Sequence, residues 1–237
     1  MTRFERAFVW VGGALFVGSL ALWVWWFLVW LSASRPWAGW GPLAFDAALF
    51  TVFAGHHSLF AREGVKRRMS AIPRRLLRSV YVWIASLLLI AVCLLWQPIG
   101  GDVYRARGAW AVALALVQVA GVWIIAGAVR LIDPLELAGI RTPDAEAGAG
   151  TTPARPSALQ IAGPYRLVRH PIYLGWILIV FGAARPMTGD RLAFAVISSF
   201  YLLIAVPWEE RSLTKSFGED YERYKRLVRW RVVPYLY

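Results

Sequence analysis

The stretch GPYRLVRHPIYLGW places a dense polar cluster directly before an apolar run. Arg166, Arg169 and His170 come just ahead of Pro171, a residue that suits the first position of a helix. The first turn of a helix has unpartnered backbone N–H groups and the positive end of the helix dipole. The cluster therefore predicts a site for an anion such as a carboxylate or a phosphate, with Tyr173 as a further donor. Arginines that reach toward a membrane interface, together with a helix cap, are the alternative explanation.

Two acidic residues, Glu209 and Glu210, directly follow the apolar run at 191–208. We expect the apolar helix to end at these residues, where the negative end of its dipole disfavours acids by a few tenths to about 1 kcal/mol each. Helix stability therefore does not explain these residues. A nearby cation, such as an ammonium, a sulfonium or an arginine, would explain them because it would stabilise the carboxylates. An ion pair with Arg169 or Arg211 is the simpler alternative. Together the basic and acidic clusters predict an anion site beside a cation site, which suits a zwitterion.

A third polar cluster lies at the end of the second apolar run, where His56 and His57 are adjacent. Only one of two neighbouring helical residues can face the interior of a helix bundle. A neutral imidazole there can take a proton from a substrate thiol, and we take His57 as the candidate catalytic base. We predict no metal site, because His170 is the only other histidine and the single cysteine, Cys93, lies in an apolar stretch. An interfacial polar cap is the alternative role for the histidine pair.

Long uncharged runs must position these clusters, and they predict a membrane protein. The 237 residues are 59% hydrophobic and 17% charged. Because the run at 172–184 is too short to cross a bilayer alone, we expect it to form a hairpin with the run at 191–208, which is itself slightly short. Four other runs have spanning length, at about 7–31, 41–60, 79–97 and 109–131. The predicted fold class is all-α: a polytopic membrane bundle of about five to six transmembrane helices, with a C-terminal helical hairpin and an amphipathic tail helix.

The placement of the basic residues predicts the topology. The formal net charge is +12, from 26 lysines and arginines against 14 acidic residues. With the N-terminus inside, the outer segments hold only a small share of the basic residues: Arg35, Arg105, Arg107, Arg185 and Arg191. This asymmetry indicates that both termini are cytoplasmic. The positive charge then serves topology and contact with anionic membrane lipids, and we expect no nucleic-acid partner.

The chain divides by composition into three segments of one integrated domain. Residues 1–140 form an N-terminal four-span membrane bundle, 141–162 a mobile cytoplasmic loop rich in Ala, Gly, Thr and Pro, and 163–237 the hairpin and tail. In the tail, helical spacing puts four residues on one face: Phe217, Tyr221, Tyr224 and Val228. This pattern predicts a helix that lies along the membrane surface, either as a solvated anchor or as a lid that packs over a site.

The polar motifs also resemble those of a known family. GPYRLVRHPIYLGW followed by EERSLTKSFGEDYERY resembles the C-terminal signature of the isoprenylcysteine carboxyl methyltransferase family, integral membrane enzymes that use S-adenosylmethionine. The stretches HHSLFAREGVKRR, RSVYV and WQPI resemble the bacterial branch of methanethiol S-methyltransferase and NnrU-like proteins. The resemblance implies a bacterial cytoplasmic (inner) membrane location, with S-adenosyl-L-methionine as the cofactor.

The resemblance also implies roles for individual residues. His170 and Tyr173 would hold the amino-acid end of the cofactor, and Glu209 and Glu210 would contact its ammonium or ribose side. The remaining implied cofactor-binding residues surround the same motif: Gly163, Tyr165, Arg166, Leu167, Val168, Arg169 and Pro171. The functional arginine of the family's tail is taken here as Arg226. Together with His57, the base proposed above from its position, the predicted catalytic set is His57, Glu210 and Arg226.

Methyl transfer to a thiol or a carboxylate of a small or lipophilic acceptor is the function that these features predict. A thiol acceptor must first lose its proton, because the thiolate is the nucleophile. Two other functions are open: a membrane reductase that uses a nicotinamide cofactor, and a non-enzymatic membrane accessory protein. The reductase is disfavoured because the chain has no Gly-rich phosphate loop and the paired glutamates would repel a pyrophosphate. The sequence does not indicate an oligomeric state.

Overall fold

The structure is a computed structural model that describes residues 1–60, 72–131, 138–140, 159–182 and 186–237. Nearly all of its regular structure is helical, as the composition predicted. In the described residues the α-helices are α1 (Arg3–Trp25), α2 (Gly41–Phe60), α3 (Arg74–Leu95), α4 (Gly108–Val129), α5 (Pro171–Phe181), α6 (Gly189–Phe217) and α7 (Glu219–Leu227). A π-helical turn at Trp26–Trp30 extends α1, and a 3₁₀ turn at Gly163–Arg166 precedes α5.

Five of the helices are long and apolar enough to cross a membrane: α1 with its π-helical extension, α2, α3, α4 and α6. Their outward faces carry large apolar side chains; on α4 these include Trp110, Leu116 and Trp123, all well exposed. Such faces are unfavourable in water and are the surfaces that lipid tails cover. The prediction of a polytopic helical membrane bundle is therefore confirmed.

The chain forms two compact units, and the first comprises residues 1–101 with 133–154. Within it, α1 and α2 both pack against α3. Trp83 of α3 donates from its indole N–H to the carbonyl of Phe8 at 3.0 Å. Asp46 of α2 is fully buried and accepts a hydrogen bond from the backbone N–H of Gln97 at 2.9 Å. That bond fixes the chain just beyond the end of α3.

The second unit comprises residues 102–132 with 155–237 and contains α4 to α7. Helices α4 and α5 cross closely, because glycines face each other at the contact. A Cβ on Gly175 would lie 2.7 Å from the carbonyl oxygen of Gly121, so neither position can accept a side chain without movement. A short antiparallel pair, β1 (Asp102–Tyr104) with β2 (Met187–Thr188), was not expected from the apolar runs.

The predicted hairpin is present as the contacting helices α5 and α6, but its second helix is longer than expected. Helix α6 continues past the apolar run and ends at Phe217, where Gly218 adopts a φ of 55°. The expectation that a helix ends at the glutamates was therefore wrong. The apolar run ends where the surroundings of the helix change from lipid to water. The polar residues that follow the run still favour a helix. Glu209 and Glu210 thus lie within α6, two turns before its end.

The predicted segments, 1–140, 141–162 and 163–237, are continuous stretches of sequence. The two compact units are instead defined by contacts between residues, and each combines two separate stretches. The boundaries stay a prediction about how the domain is organised. Most of the predicted mobile loop, 141–158, lies outside the described residues, as does the basic stretch at 61–71.

Candidate active site

The candidate site is built where the C-terminal segment runs beside the residues that precede α5. The backbone N–H of Arg169 donates to the carbonyl of Trp230 at 2.9 Å, and that of His170 donates to the carbonyl of Arg231 at 2.8 Å. Beneath this pairing lies an apolar core of Val168, Leu174, Val206 and Val232. Pro171 begins α5 as predicted, and His170 directly precedes it. The helix start, the tail and α6 therefore meet at one point.

Arg169 is the centre of the cluster. Its side chain is only 6% exposed, and its Nε donates to Oε1 of Glu210 at 2.7 Å. Its Nη1 donates to the backbone carbonyls of Val228 and Arg229, both at 2.8 Å. A buried guanidinium needs such complete pairing, because an unpaired charge away from water is strongly unfavourable. The ion-pair alternative for the acidic cluster is therefore the arrangement found for Glu210.

Glu210 is surrounded by positive groups. Besides Arg169, its Oε2 lies 3.3 Å from Nε of Arg231, and its Oε1 lies 3.6 Å from Nε2 of His170. The glutamate side chain is 9% exposed, whereas Arg231 is 40% exposed. Glu210 thus neutralises the positive groups around it. Arg231 is the member of this cluster that reaches the protein surface.

The neighbouring glutamate has a different environment. Glu209 is 43% exposed, and its Oε2 lies 3.4 Å from Nδ1 of His170. Its other oxygen accepts a short hydrogen bond from the Tyr173 hydroxyl. The rings of His170 and Tyr173 stack with their centroids 5.4 Å apart. Glu209 is therefore the more accessible carboxylate, held beside an imidazole and a phenol.

His170 is buried between the two carboxylates. Burial lowers its pKa, but the adjacent Glu209 and Glu210 together outweigh that effect, so the pKa lies above the ordinary value for histidine. Its Nε2 atom is buried and has no hydrogen-bond partner among the described residues. Through Nε2 the protonated imidazole faces Glu210 at 3.6 Å, and it is also a suitable donor to a small anionic group.

The 3₁₀ turn before the cluster forms one wall of an open pocket of about 570 Å³. Gly163 begins this turn with a φ of 54°, a conformation that favours glycine. The Tyr224 hydroxyl donates to the carbonyl of Tyr165 at 2.7 Å and so fixes the turn to α7. The pocket is lined by Ile161, Ala162, Arg166, Tyr224, Leu227 and Val228. It combines apolar walls, an aromatic ring and one exposed guanidinium.

The tail helix carries the face that the spacing predicted. Tyr221, Tyr224 and Val228 form a buried cluster, with Phe217 and Tyr165 packed against it. The face is therefore covered by protein within the second unit. These contacts show that one face of the helix is packed, and its role as an anchor or as a lid stays a prediction.

The structure brings together most of the predicted site residues. Arg169, His170, Tyr173 and the two glutamates share direct contacts, and Gly163, Tyr165 and Arg166 belong to the adjoining turn. Arg226 does not join them: it is exposed on α7, away from the buried face of that helix. Leu167 is exposed, while Val168 is fully buried in the core beneath.

His57 belongs to the first unit and has its own polar neighbours there. Its Nδ1 lies 2.6 Å from the hydroxyl oxygen of Tyr81. The ring of His56 stacks on the same tyrosine at 5.4 Å, and its Nε2 lies 3.5 Å from the Tyr81 carbonyl. The two histidines therefore share one tyrosine from α3. In the described residues, no group of three His, Cys, Asp or Glu side chains could hold a metal ion.

One member of the cluster, Arg231, was missed by reasoning from the sequence, although it pairs with Glu210. A signal for it existed: Arg226 lies between the inward positions of Tyr224 and Val228, so the helical period turns Arg226 outward. An arginine beyond the end of that helix was the better candidate.

Comparison with known proteins gives the family. A methanethiol S-methyltransferase from Pseudomonas sp. strain GM41 is 39% identical over 199 residues, which cover 82% of this chain and 75% of that protein. The chain belongs to the methanethiol S-methyltransferase family. A methanethiol S-methyltransferase from Mycobacterium tuberculosis is 34% identical over 185 residues, covering 77% of this chain and 75% of the relative. Nurim from Sus scrofa is 31% identical over 195 residues, covering 78% and 72%.

No family model matches the chain, and no solved structure matches it. The relatives nevertheless confirm the resemblance inferred from the polar motifs and the prediction of a membrane methyltransferase.

Proposed function

We propose that this protein transfers a methyl group from S-adenosyl-L-methionine to the sulfur of a small thiol, within or at the surface of a membrane. Membership in the methanethiol S-methyltransferase family carries the proposal. The donor supplies a methyl group already activated by a sulfonium charge. What the chain must supply is a fixed place for both reactants and an acceptor in its thiolate form.

The charges of the cluster support a site for the amino-acid end of the donor. Its carboxylate would approach the imidazole of His170 and the half-exposed guanidinium of Arg231. Its ammonium would take Glu209, the more exposed of the two glutamates. Glu210 has a supporting role in this proposal, because it is already paired with Arg169 and Arg231.

The pocket beside the 3₁₀ turn supports a place for the adenosine end of the donor. Its volume of about 570 Å³ is in the range of small-molecule sites. Tyr224 offers a ring and Arg166 a guanidinium, both of which stack favourably on a purine. Backbone carbonyl groups of the 3₁₀ turn belong to the same segment of chain, and they can accept hydrogen bonds from the amino group of the adenine.

His57 remains the proposed base for the acceptor. A neutral imidazole nitrogen takes the thiol proton, the thiolate sulfur forms a bond to the methyl carbon, and the bond between that carbon and the sulfonium breaks. The products are a thioether, S-adenosylhomocysteine and a proton on His57. A His57→Gln variant should lose activity with the thiol, most strongly at pH values below the thiol pKa, and keep its affinity for S-adenosylhomocysteine.

The location that we propose is the bacterial cytoplasmic membrane, with both termini in the cytoplasm. The basic residues support this orientation, because few of them fall on the segments predicted to face outward. The membrane would give an apolar thiol access from the lipid phase, and the donor access from the cytoplasm. Anionic lipids are the expected neighbours of the inner segments.

Label transfer tests the proposal. The purified protein is incubated with methyl-labelled S-adenosylmethionine and methanethiol, with longer thiols, or with a prenyl-cysteine carboxylate, and the labelled product is identified by mass spectrometry. We expect a labelled thioether from methanethiol. The double variant Tyr173→Phe/Glu209→Gln should lose it, whereas Glu219→Gln, an exposed acid of the tail helix, should not.

Other outcomes would replace the proposal. A labelled ester on the prenyl-cysteine carboxylate would make the protein an O-methyltransferase. Oxidation of NADPH by a candidate substrate would favour a reductase. Failure to bind either S-adenosylhomocysteine or NADPH would favour an accessory role.

A further inference from the structure

The last ten residues, which we call the strap (Val228–Tyr237), fold back on themselves beside the candidate site. The backbone N–H groups of Val232 and Val233 donate to the carbonyl oxygen of Tyr237 at 2.9 and 3.1 Å, and the N–H of Tyr237 donates to the carbonyl of Val233 at 2.9 Å. Val232 is fully buried in the core below the site. The strap is therefore a closed turn with a defined place for its last residue.

That turn brings the Tyr237 side chain to Arg231. Nη1 of Arg231 donates to the Tyr237 hydroxyl at 3.2 Å, and its guanidinium carbon lies 5.2 Å from the centre of the Tyr237 ring. On its other side, Nε of Arg231 lies 3.3 Å from Oε2 of Glu210. A half-exposed arginine has many rotamers, and pairing on both sides restricts them.

We propose that Tyr237 is a positioning residue for the methyl donor, because it holds Arg231 against Glu210 with its guanidinium turned to the site. This inference rests on the proposed function, in which Arg231 contacts the carboxylate of the donor. The ring supplies a cation–π contact and the hydroxyl a hydrogen bond, so the two parts of the side chain can be tested separately. Neither part touches the donor; both act through Arg231.

A neighbouring tyrosine provides a matched control. Tyr235 belongs to the same strap but is 86% exposed, and its ring contact is with Trp230 at 5.3 Å. Tyr235→Phe and Tyr237→Phe remove the same hydroxyl from the same segment. Only the second change removes a hydrogen bond to the arginine of the site.

The experiment is calorimetric titration of the purified full-length protein with S-adenosylhomocysteine. Tyr237→Phe should weaken binding about three- to tenfold, the usual effect of losing one hydrogen bond of ordinary strength, while Tyr235→Phe should match the wild type. Tyr237→Ala, which also removes the ring, should weaken binding further. In steady-state assays the KM for the donor should rise by more than kcat falls.

A double-mutant cycle separates positioning from general stability. On an Arg231→Gln background, Tyr237→Phe should have no additional effect on binding, because its only route to the donor is gone. Equal affinities of Tyr237→Phe and Tyr235→Phe, or additive effects with Arg231→Gln, would overturn the inference while leaving the proposed function intact. A wild-type protein that does not bind S-adenosylhomocysteine would overturn both.

Discussion

Arg169 is the residue whose replacement tests the architecture of the site most directly. Its guanidinium joins three parts of the chain: the segment before α5, Glu210 of α6, and the carbonyls of Val228 and Arg229. An Arg169→Gln change removes the charge and cannot reach all three partners. It leaves two tail carbonyls short of donors and removes the most tightly held cation beside Glu210.

The expected cost follows from burial. Arg169 and Glu210 are 6% and 9% exposed, and breaking a buried ion pair by removing one partner typically costs about 3–5 kcal/mol. Arg231 and His170 remain near Glu210 and reduce that cost, so we expect about 2–4 kcal/mol. Arg169→Lys should recover only part of it, because an ammonium cannot reproduce the planar fork.

An exposed ion pair on the same tail supplies the contrast. Arg223 pairs with Asp220 at 2.9 Å, with side chains 66% and 69% exposed. Such surface pairs contribute about 0–1 kcal/mol, so Arg223→Gln should be nearly silent.

Two measurements check the prediction for Arg169. Thermal melts in detergent should place Arg169→Gln well below the wild type and Arg223→Gln beside it. Hydrogen exchange should become faster at the amides of Arg169 and His170, whose partners are tail carbonyls. If Arg169→Gln has the same melting temperature as Arg223→Gln, and those amides stay protected from exchange, the buried cluster does not hold the tail in place. That result would refute the reasoning.

Three further predictions concern titration, packing and the two glutamates. Burial lowers the pKa of His170 but the adjacent carboxylates raise it above the ordinary value, so its protonated form stabilises the fold below the unfolded pKa of about 6.5. The melting midpoint should therefore fall as the pH rises from 6.5 through the folded pKa, and this fall should be absent in His170→Gln. Gly175→Ala would place a Cβ 2.7 Å from a carbonyl of the facing helix and should lower stability by about 1–3 kcal/mol, whereas Gly18→Ala, with open space around it, should not lower stability. Glu209→Gln should weaken binding of S-adenosylhomocysteine and lower the melting midpoint only slightly, through its contacts with His170 and Tyr173, whereas Glu210→Gln should lower the midpoint much more. Equal melting of the two variants would contradict the assigned division.

The spans and the core of the site follow from the sequence for clear physical reasons. A run of about 20 apolar residues has few stable states other than a membrane helix, so α1 to α4 begin and end near their predicted limits. Pro171 fixes the start of α5, and the polar residues before it must then lie at the N-terminal end of that helix. The inward face of the tail was also readable, because Tyr221, Tyr224 and Val228 recur at the helical period.

The partners of these residues could not be predicted in the same way. Arg169 was offered as a partner of the glutamates, but which tail arginine pairs with Glu210 depends on how the strap turns after α7. That turn is set by backbone bonds among Val232, Val233 and Tyr237. Likewise, hydropathy predicts where a chain leaves the membrane, but it does not predict where a helix ends. For this reason α6 was expected to stop at the glutamates. Long-range pairing, rather than local propensity, decides both points.

The continuation of α6 changes how the two glutamates can act. Adjacent residues on a helix point about 100° apart, so a single turn of α6 presents one carboxylate inward and the other toward the opening. Glu210 meets Arg169 and Arg231, whereas Glu209 meets Tyr173 and remains accessible. If the helix had ended there, both acids would have faced a negative dipole and water. Because α6 continues, the inner glutamate can hold the tail in place. In the proposed site the outer glutamate would contact the donor's ammonium, and donor binding and tail order would then be linked through neighbouring residues.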